Sequence, residues 1–193
     1  MDAATHARAK VDICAGWRRD GAMVGYIEAT GRLPMPVGPV APDLDVGDPP
    51  PSTLELPELP ANALRRRRRI DVCPGIPVRV DSMFRDSHMT IDEVETVLHE
   101  YGLRVAIDPE TGGIVSARAE PRVLPWPECG DAAASARELV GRRLAGLSRA
   151  IRSEMLGPST CTHLNDLMRA LEGVEHLATP DVSTQPPYAT GER

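Results

Sequence analysis

The chain has 193 residues, a length that suits one domain, and 41% of them are hydrophobic but only 3% aromatic, so its core must be aliphatic. A formal net charge of -6 argues against a general nucleic-acid binder, whose affinity rests on Lys and Arg displacing counterions from phosphates. No apolar run approaches the ~20 residues that span a bilayer, and the N-terminal MDAATHARAKVD lacks the apolar stretch of a secretory signal.

These features favour a cytoplasmic protein of bacterial type. The cysteines are Cys14, Cys73, Cys129 and Cys161. They are far apart and form no CxxC pair, which in a chain of this kind favours reduced thiols over bridges.

Residues 11–26 have a weak helical pattern that Gly16, Gly21 and Gly25 interrupt. Nine prolines between Leu33 and Pro60 remove backbone donors and favour extended backbone, so this stretch reads as a linker or a strap over the surface. The run Arg65 to Arg69 is a short basic block in an acidic chain and reads as a solvated face rather than a nucleic-acid contact. Residues 78–87 alternate imperfectly and suggest a strand. Residues 96–108 alternate strictly, with Val97, His99, Tyr101, Leu103, Val105 and Ile107 on one face, the mark of a half-buried strand.

PETGG at 109–113 supplies a hairpin loop, and residues 114–119 should return antiparallel. A Pro-interrupted connector follows. From Asp131 the pattern is helical, with a stripe at Val140, Leu144, Leu147, Ile151 and Met155 that Gly157-Pro158 ends. A second helix should run from Thr162 to Leu177, carrying Leu164, Leu167, Met168, Leu171 and Val174. The expected architecture is α+β: a small antiparallel sheet followed by two main helices packed on one face. The expected organisation is an extension with its Pro-rich strap over 1–63, the α+β domain over 64–178 and a disordered tail over 179–193.

Four side chains suggest chemistry. His99 sits on the apolar face of the best strand, where it must be neutral and hydrogen-bonded or must bind something, because an unpaired buried polar group costs roughly 1–3 kcal/mol. Cys129 stands where a connector becomes a helix, and Cys161 stands just before the next helix, with His163 two residues on. Helix-end potential favours a thiolate at both positions. Taken singly, the cysteines suit small buried hydrophobes, and Thr160 or Thr162 suits an ordinary helix cap.

Taken together, His99, Cys129, Cys161 and His163 offer two sulfur and up to two nitrogen donors, a set that zinc prefers and iron tolerates. The cysteines are 32 residues apart and His99 is 30 before the first, so tertiary folding would have to assemble the site. Asp86 and His88 at the end of the first strand and Asp166, three residues after His163, are candidate catalytic groups beside it. No Gly-rich phosphate cradle, HExxH or Ser-His-Asp order is present.

The segments RRRRRIDV, FRDSH, VLHEYGLRVAIDPETGGI, PRVLPWPEC and CTHLNDLMRAL resemble the uncharacterised bacterial domain-of-unknown-function family 2889 over roughly Leu64 to Leu177. That resemblance implies no established activity. A looser resemblance is to the NifU/IscU-type iron–sulfur cluster scaffolds. Cys129-Gly130-Asp131-Ala132-Ala133-Ala134-Ser135 is similar to their second cysteine motif and Cys161-Thr162-His163-Leu164 to their third. His99 falls at the aspartate of the first motif and Val97 where its cysteine stands. With that cysteine absent, a mononuclear zinc or iron ion is expected in preference to an iron–sulfur cluster. The expected function is metal binding, in one of three settings: an enzyme of unknown substrate, a metal or cluster carrier, or an assembly module with a structural ion. The expected partner is a small molecule or a protein, not nucleic acid or membrane, and self-association is left open.

Overall fold

The computed structural model describes residue 5 and residues 9–42 and 56–174. The tail expected over 179–193 lies outside the described residues. Four antiparallel strands, β1 (Leu64–Cys73), β2 (Val78–Met89), β3 (Glu95–Ile107) and β4 (Ile114–Val123), form one sheet in chain order. The Arg run is therefore an edge strand, β1, and not only a solvated face. Its alternate arginines, Arg66 and Arg68, turn toward the helical layer and pair with Asp86 and Asp166.

Cross-strand register places Val72, Val80 and Val105 on the covered face, then Ser82 and Leu103, Phe84 and Tyr101, and finally Arg66, Asp86 and His99. This face grades from aliphatic at one end to polar at the other, and the polar end carries candidate residues Asp86 and His99. The strict alternation expected of β3 does not hold throughout. A bulge between the pairs Asp86–His99 and Ser87–Val97 leaves Leu98 without a partner and puts Val97 on the face opposite His99, not beside it, and Glu100 to Leu103 are buried in succession. The β3–β4 turn is held by Asp108, whose carboxylate accepts the Glu110 amide and the Thr111 hydroxyl, and by Gly112 at φ 65°.

The helical layer is more broken than its periodicity suggests. Residues Pro127–Leu139 form a 3-10 segment, and the α-helix α2 spans only Leu147–Glu154. Gly141 and Gly146, at φ 84° and 77°, turn the chain between them. That turn pairs with the start of β4: Ile114 donates to the Arg142 carbonyl, and Gly141 donates to that of Ile114. The single stripe from Val140 to Met155 thus joins two pieces. Leu144, Leu147, Ile151 and Met155 are buried, whereas Val140 is exposed.

The last helix, α3, covers Thr162–Ala170 and tightens into a 3-10 turn at Leu171–Val174. Its leucines meet Phe84, Tyr101 and Leu103 in one aliphatic core. No helix of the described residues is long and apolar enough to cross a membrane.

The N-terminal residues fold against this layer. The helix expected at 11–26 is instead a 3-10 turn, Ala15–Trp17, followed by α1, Ala22–Thr30. Residues 39–41 of the Pro-rich stretch then lie along β3. Val97 donates to the Pro39 carbonyl at 2.9 Å and Ala41 to the Glu95 carbonyl at 2.8 Å, just ahead of the point where β4 takes over at Glu100. Gly38 permits this approach, since a Cβ there would lie 1.6 Å from the Val97 carbonyl oxygen. Beneath the strap, Arg85 pairs with Glu100 and also donates to the Pro42 carbonyl at 2.6 Å.

Candidate functional site

At the polar end of the sheet, a cavity of about 200 Å³ opens between β3, the start of α3, the 3-10 segment and the N-terminal residues. His99, Cys129, Cys161 and His163 all line it, together with Cys14, Trp17 and Trp126. The four candidate ligands share one cavity wall although they are spread over 65 positions of the chain. β3 supplies His99, the third residue of the 3-10 segment supplies Cys129, and α3 supplies the rest. Cys161 is the N-cap of α3, and its side chain makes no capping bond.

His163 lies at the centre. Its Nδ1 is 3.9 Å from the Cys161 sulfur and its Nε2 is 3.6 Å from an Asp86 carboxylate oxygen. Its ring stacks on His99, with centroids 3.8 Å apart and planes 24° apart, and tilts against Phe84. Burial lowers the pKa of both rings, that of His99 to about 3, with the neighbouring His163 and Arg66 adding to the shift. Two neutral imidazoles are the form that binds a transition metal.

The thiols behave otherwise than helix-end potential suggests. Burial pushes Cys129 up to about 12, with Cys161 nearby adding to the shift. Burial also raises Cys161, although the backbone N–H groups of Leu164 and His163 at the helix start pull the other way. Desolvation outweighs the helix end at both cysteines, so they are protonated thiols that a bound cation would have to deprotonate. Between them stands Tyr101, fully buried, whose hydroxyl donates to the Cys129 carbonyl at 3.0 Å.

Asp86 takes a place behind His163. Register sets it directly across from His99. Both of its oxygens accept the Arg66 fork at 2.8 Å. Single ligand atoms of Asp86, His99 and His163 lie within 4.8 Å of one another, and among the described residues the thiols stand outside that grouping. Asp166 does not join it. Arg68 holds Asp166, which also meets Arg66 at 3.5 Å and Arg169 at 2.7 Å. His88 contributes to neither the cavity nor the grouping.

Sequence reasoning did not single out Cys14 or Tyr101. Cys14 lies in a weakly patterned stretch, 115 residues before Cys129, and its only signal was that it is one of four cysteines. Tyr101 looked like an ordinary core residue of β3, and only the tertiary structure puts its hydroxyl beside the thiols.

No curated protein and no solved structure matches the chain, so the NifU/IscU likeness gains no support beyond its motifs. A family model described as a protein of unknown function, DUF2889, matches residues 64–176, which take in the whole sheet and the helical layer. Because that match covers more than half of the sequence, the chain belongs to the DUF2889 family.

Proposed function

We propose that this protein binds a single transition-metal ion, zinc or iron, in the cavity between β3 and α3, through Cys129, Cys161 and the imidazoles of His99 and His163. The observation that carries this reading is the convergence of all four on one cavity, with the Cys161 sulfur 3.9 Å from His163 Nδ1. Mixed sulfur and nitrogen donors suit zinc first and iron second. Asp86 fits the role of a carboxylate that receives the outer N–H of a ligand imidazole, fixing its tautomer and plane. Buried, unbridged thiols are consistent with work in a reducing compartment such as the cytoplasm.

Three protein donors plus an open position would make the ion a Lewis acid for a small substrate. A fully protein-coordinated ion would serve carriage or structure instead, the setting that the NifU/IscU resemblance implies. Elemental analysis of protein purified without added metal tests the reading. About one equivalent is expected in the parent and little in Cys129→Ser, Cys161→Ser and His163→Ala. A metal-free parent, or unchanged content in all three variants, overturns it.

A second arrangement is favoured by the 4.8 Å grouping of Asp86, His99 and His163. Two histidines and one carboxylate are the ligand set of non-haem iron(II) sites. It is the weaker reading, because Arg66 already occupies both Asp86 oxygens and Asp86 does not line the cavity. Asp86→Asn separates the two. It abolishes metal binding under the second arrangement and only weakens it under the first.

A further inference from the structure

The cavity between β3 and α3 is built from two parts of the chain. His99, Trp126 and His163 belong to the residues that match the family, whereas Trp17, Met23 and Pro36 precede them. Three contacts seat the preceding part. Ala15 donates its amide to the Thr160 carbonyl at 2.8 Å, Glu128 accepts the Ala22 amide at 2.7 Å, and Arg18 meets Asp131 at 3.6 Å. Gly16 keeps the space open, since a Cβ there would lie 2.7 Å from the Cys129 sulfur and 3.5 Å from the Trp126 ring. Trp17 and Trp126 are the two tryptophans of the whole chain, and both face this one space.

Three properties of the wall define what fits. The volume, about 200 Å³, exceeds the ~150 Å³ that holds a benzene ring and falls short of the ~300–1,000 Å³ of sites for drug-sized molecules. No Asp, Glu, Lys or Arg lines the cavity, so a charged ligand would lose its hydration without gaining a counter-charge. The half-buried His99 ring stacks on His163 but makes no hydrogen bond to any described residue, which leaves its nitrogens to a ligand. We infer that the cavity takes a single-ring, uncharged aromatic compound with one hydroxyl group, a phenol by class, its ring against Trp17, Trp126 and Met23 and its hydroxyl toward His99. Contact with the indole rings favours an arene over a saturated ring of equal size. The inference deepens the metal-binding reading, for which it names the small substrate, and rests on it only for what a bound ion would do to the hydroxyl. Binding of the ring depends on the cavity wall alone, so metal-free protein shows it.

The test uses the reduced, metal-free, full-length protein and reads tryptophan emission, which reports on this cavity because both tryptophans line it. Phenol should give a saturable change. Three relatives each alter one property: toluene lacks the hydroxyl, benzoate adds a charge and cyclohexanol is not aromatic. Benzoate should bind at least ~100-fold more weakly than phenol, and cyclohexanol about 3–10-fold more weakly. His99→Leu should weaken phenol by about 10-fold and leave toluene within about 2-fold. No saturable response to phenol, benzoate or cyclohexanol binding as tightly as phenol, or a phenol affinity unchanged in His99→Leu overturns the inference. Should His99→Leu fold poorly, Gly16→Ala decides: by narrowing the cavity it should weaken phenol and toluene alike, and undiminished binding of both overturns the inference. Phenol binding by a protein that purifies without metal sinks the metal reading alone, and a metal-bearing protein that ignores phenol sinks only this inference.

Discussion

The imidazole of His99 lies face-on against that of His163, with ring centroids 3.8 Å apart. Burial keeps both rings from taking up a proton, and the charges of His163 and Arg66 add to the effect at His99, as that of Arg66 does at His163. Asp86 and Asp166 oppose the effect at His163 but do not reverse it.

The burial of His99 makes a pH prediction for the metal-free protein. The His99 pKa falls from 6.5 to about 3 on folding, so the unfolded chain binds the proton that the folded chain refuses. The associated stability is present above pH 6.5 and is lost progressively as pH falls toward 3. At pH 5, unfolding should take up about one proton more in the parent than in His99→Gln. Urea midpoints at pH 7.5 and pH 5 measure this, and an equal drop in both proteins would show that His99 is not held neutral.

Asp86→Asn keeps the shape of the side chain behind His163 and removes its charge. As a carboxylate that orients a ligand imidazole, Asp86 should contribute about 10–100-fold to zinc affinity. Competition with a chromophoric chelator measures the loss. Complete loss of binding would make Asp86 itself a ligand.

Gly38→Ala should detach the strap from β3, because the new methyl group would lie 1.6 Å from the Val97 carbonyl oxygen. The Val97 amide, which donates to Pro39, should then exchange its hydrogen at least ~10-fold faster, while amides in the centre of β2 keep their protection. Unchanged Val97 protection would mean that the strap finds another seat.

Arg85 and Glu100 face each other with side chains only 4% and 7% exposed. Arg85→Met leaves Glu100 with the more distant Arg122 at 3.4 Å and should cost about 3–5 kcal/mol in chemical denaturation. The double variant Arg85→Met, Glu100→Leu should recover most of that loss, because no uncompensated charge then remains buried. Failure to recover would assign the role to the Arg85 bond with Pro42 in the strap.

Periodicity identified the parts of this fold whose burial is repetitive. β3 alternates over 103–107 because one side of it meets the core there, and α3 carries its stripe because one side of it packs on the sheet. Where burial is not repetitive, the pattern misled. The stripe from Val140 to Met155 crosses two left-handed glycines, and the chain turns between them to pair with β4. Hydrophobic spacing records which residues are buried, not whether the backbone joining them is one helix.

The donor types were legible for a similar reason. His99, Cys129, Cys161 and His163 stood out because a polar or soft side chain next to an apolar stripe is locally anomalous. Cys14 has no such stripe beside it, and Asp86 read equally well as half of a surface ion pair.

The sequence by itself therefore determined the α+β class and the choice of candidate side chains, since these follow from neighbours a few residues apart. Only the tertiary structure decided which of them line one cavity, that Asp86 backs His163 while Asp166 is taken up by arginines, and that the N-terminal segment brings a third thiol to the cavity. Those outcomes depend on register and docking between residues as many as 115 to 147 positions apart, and no local spacing encodes such distances.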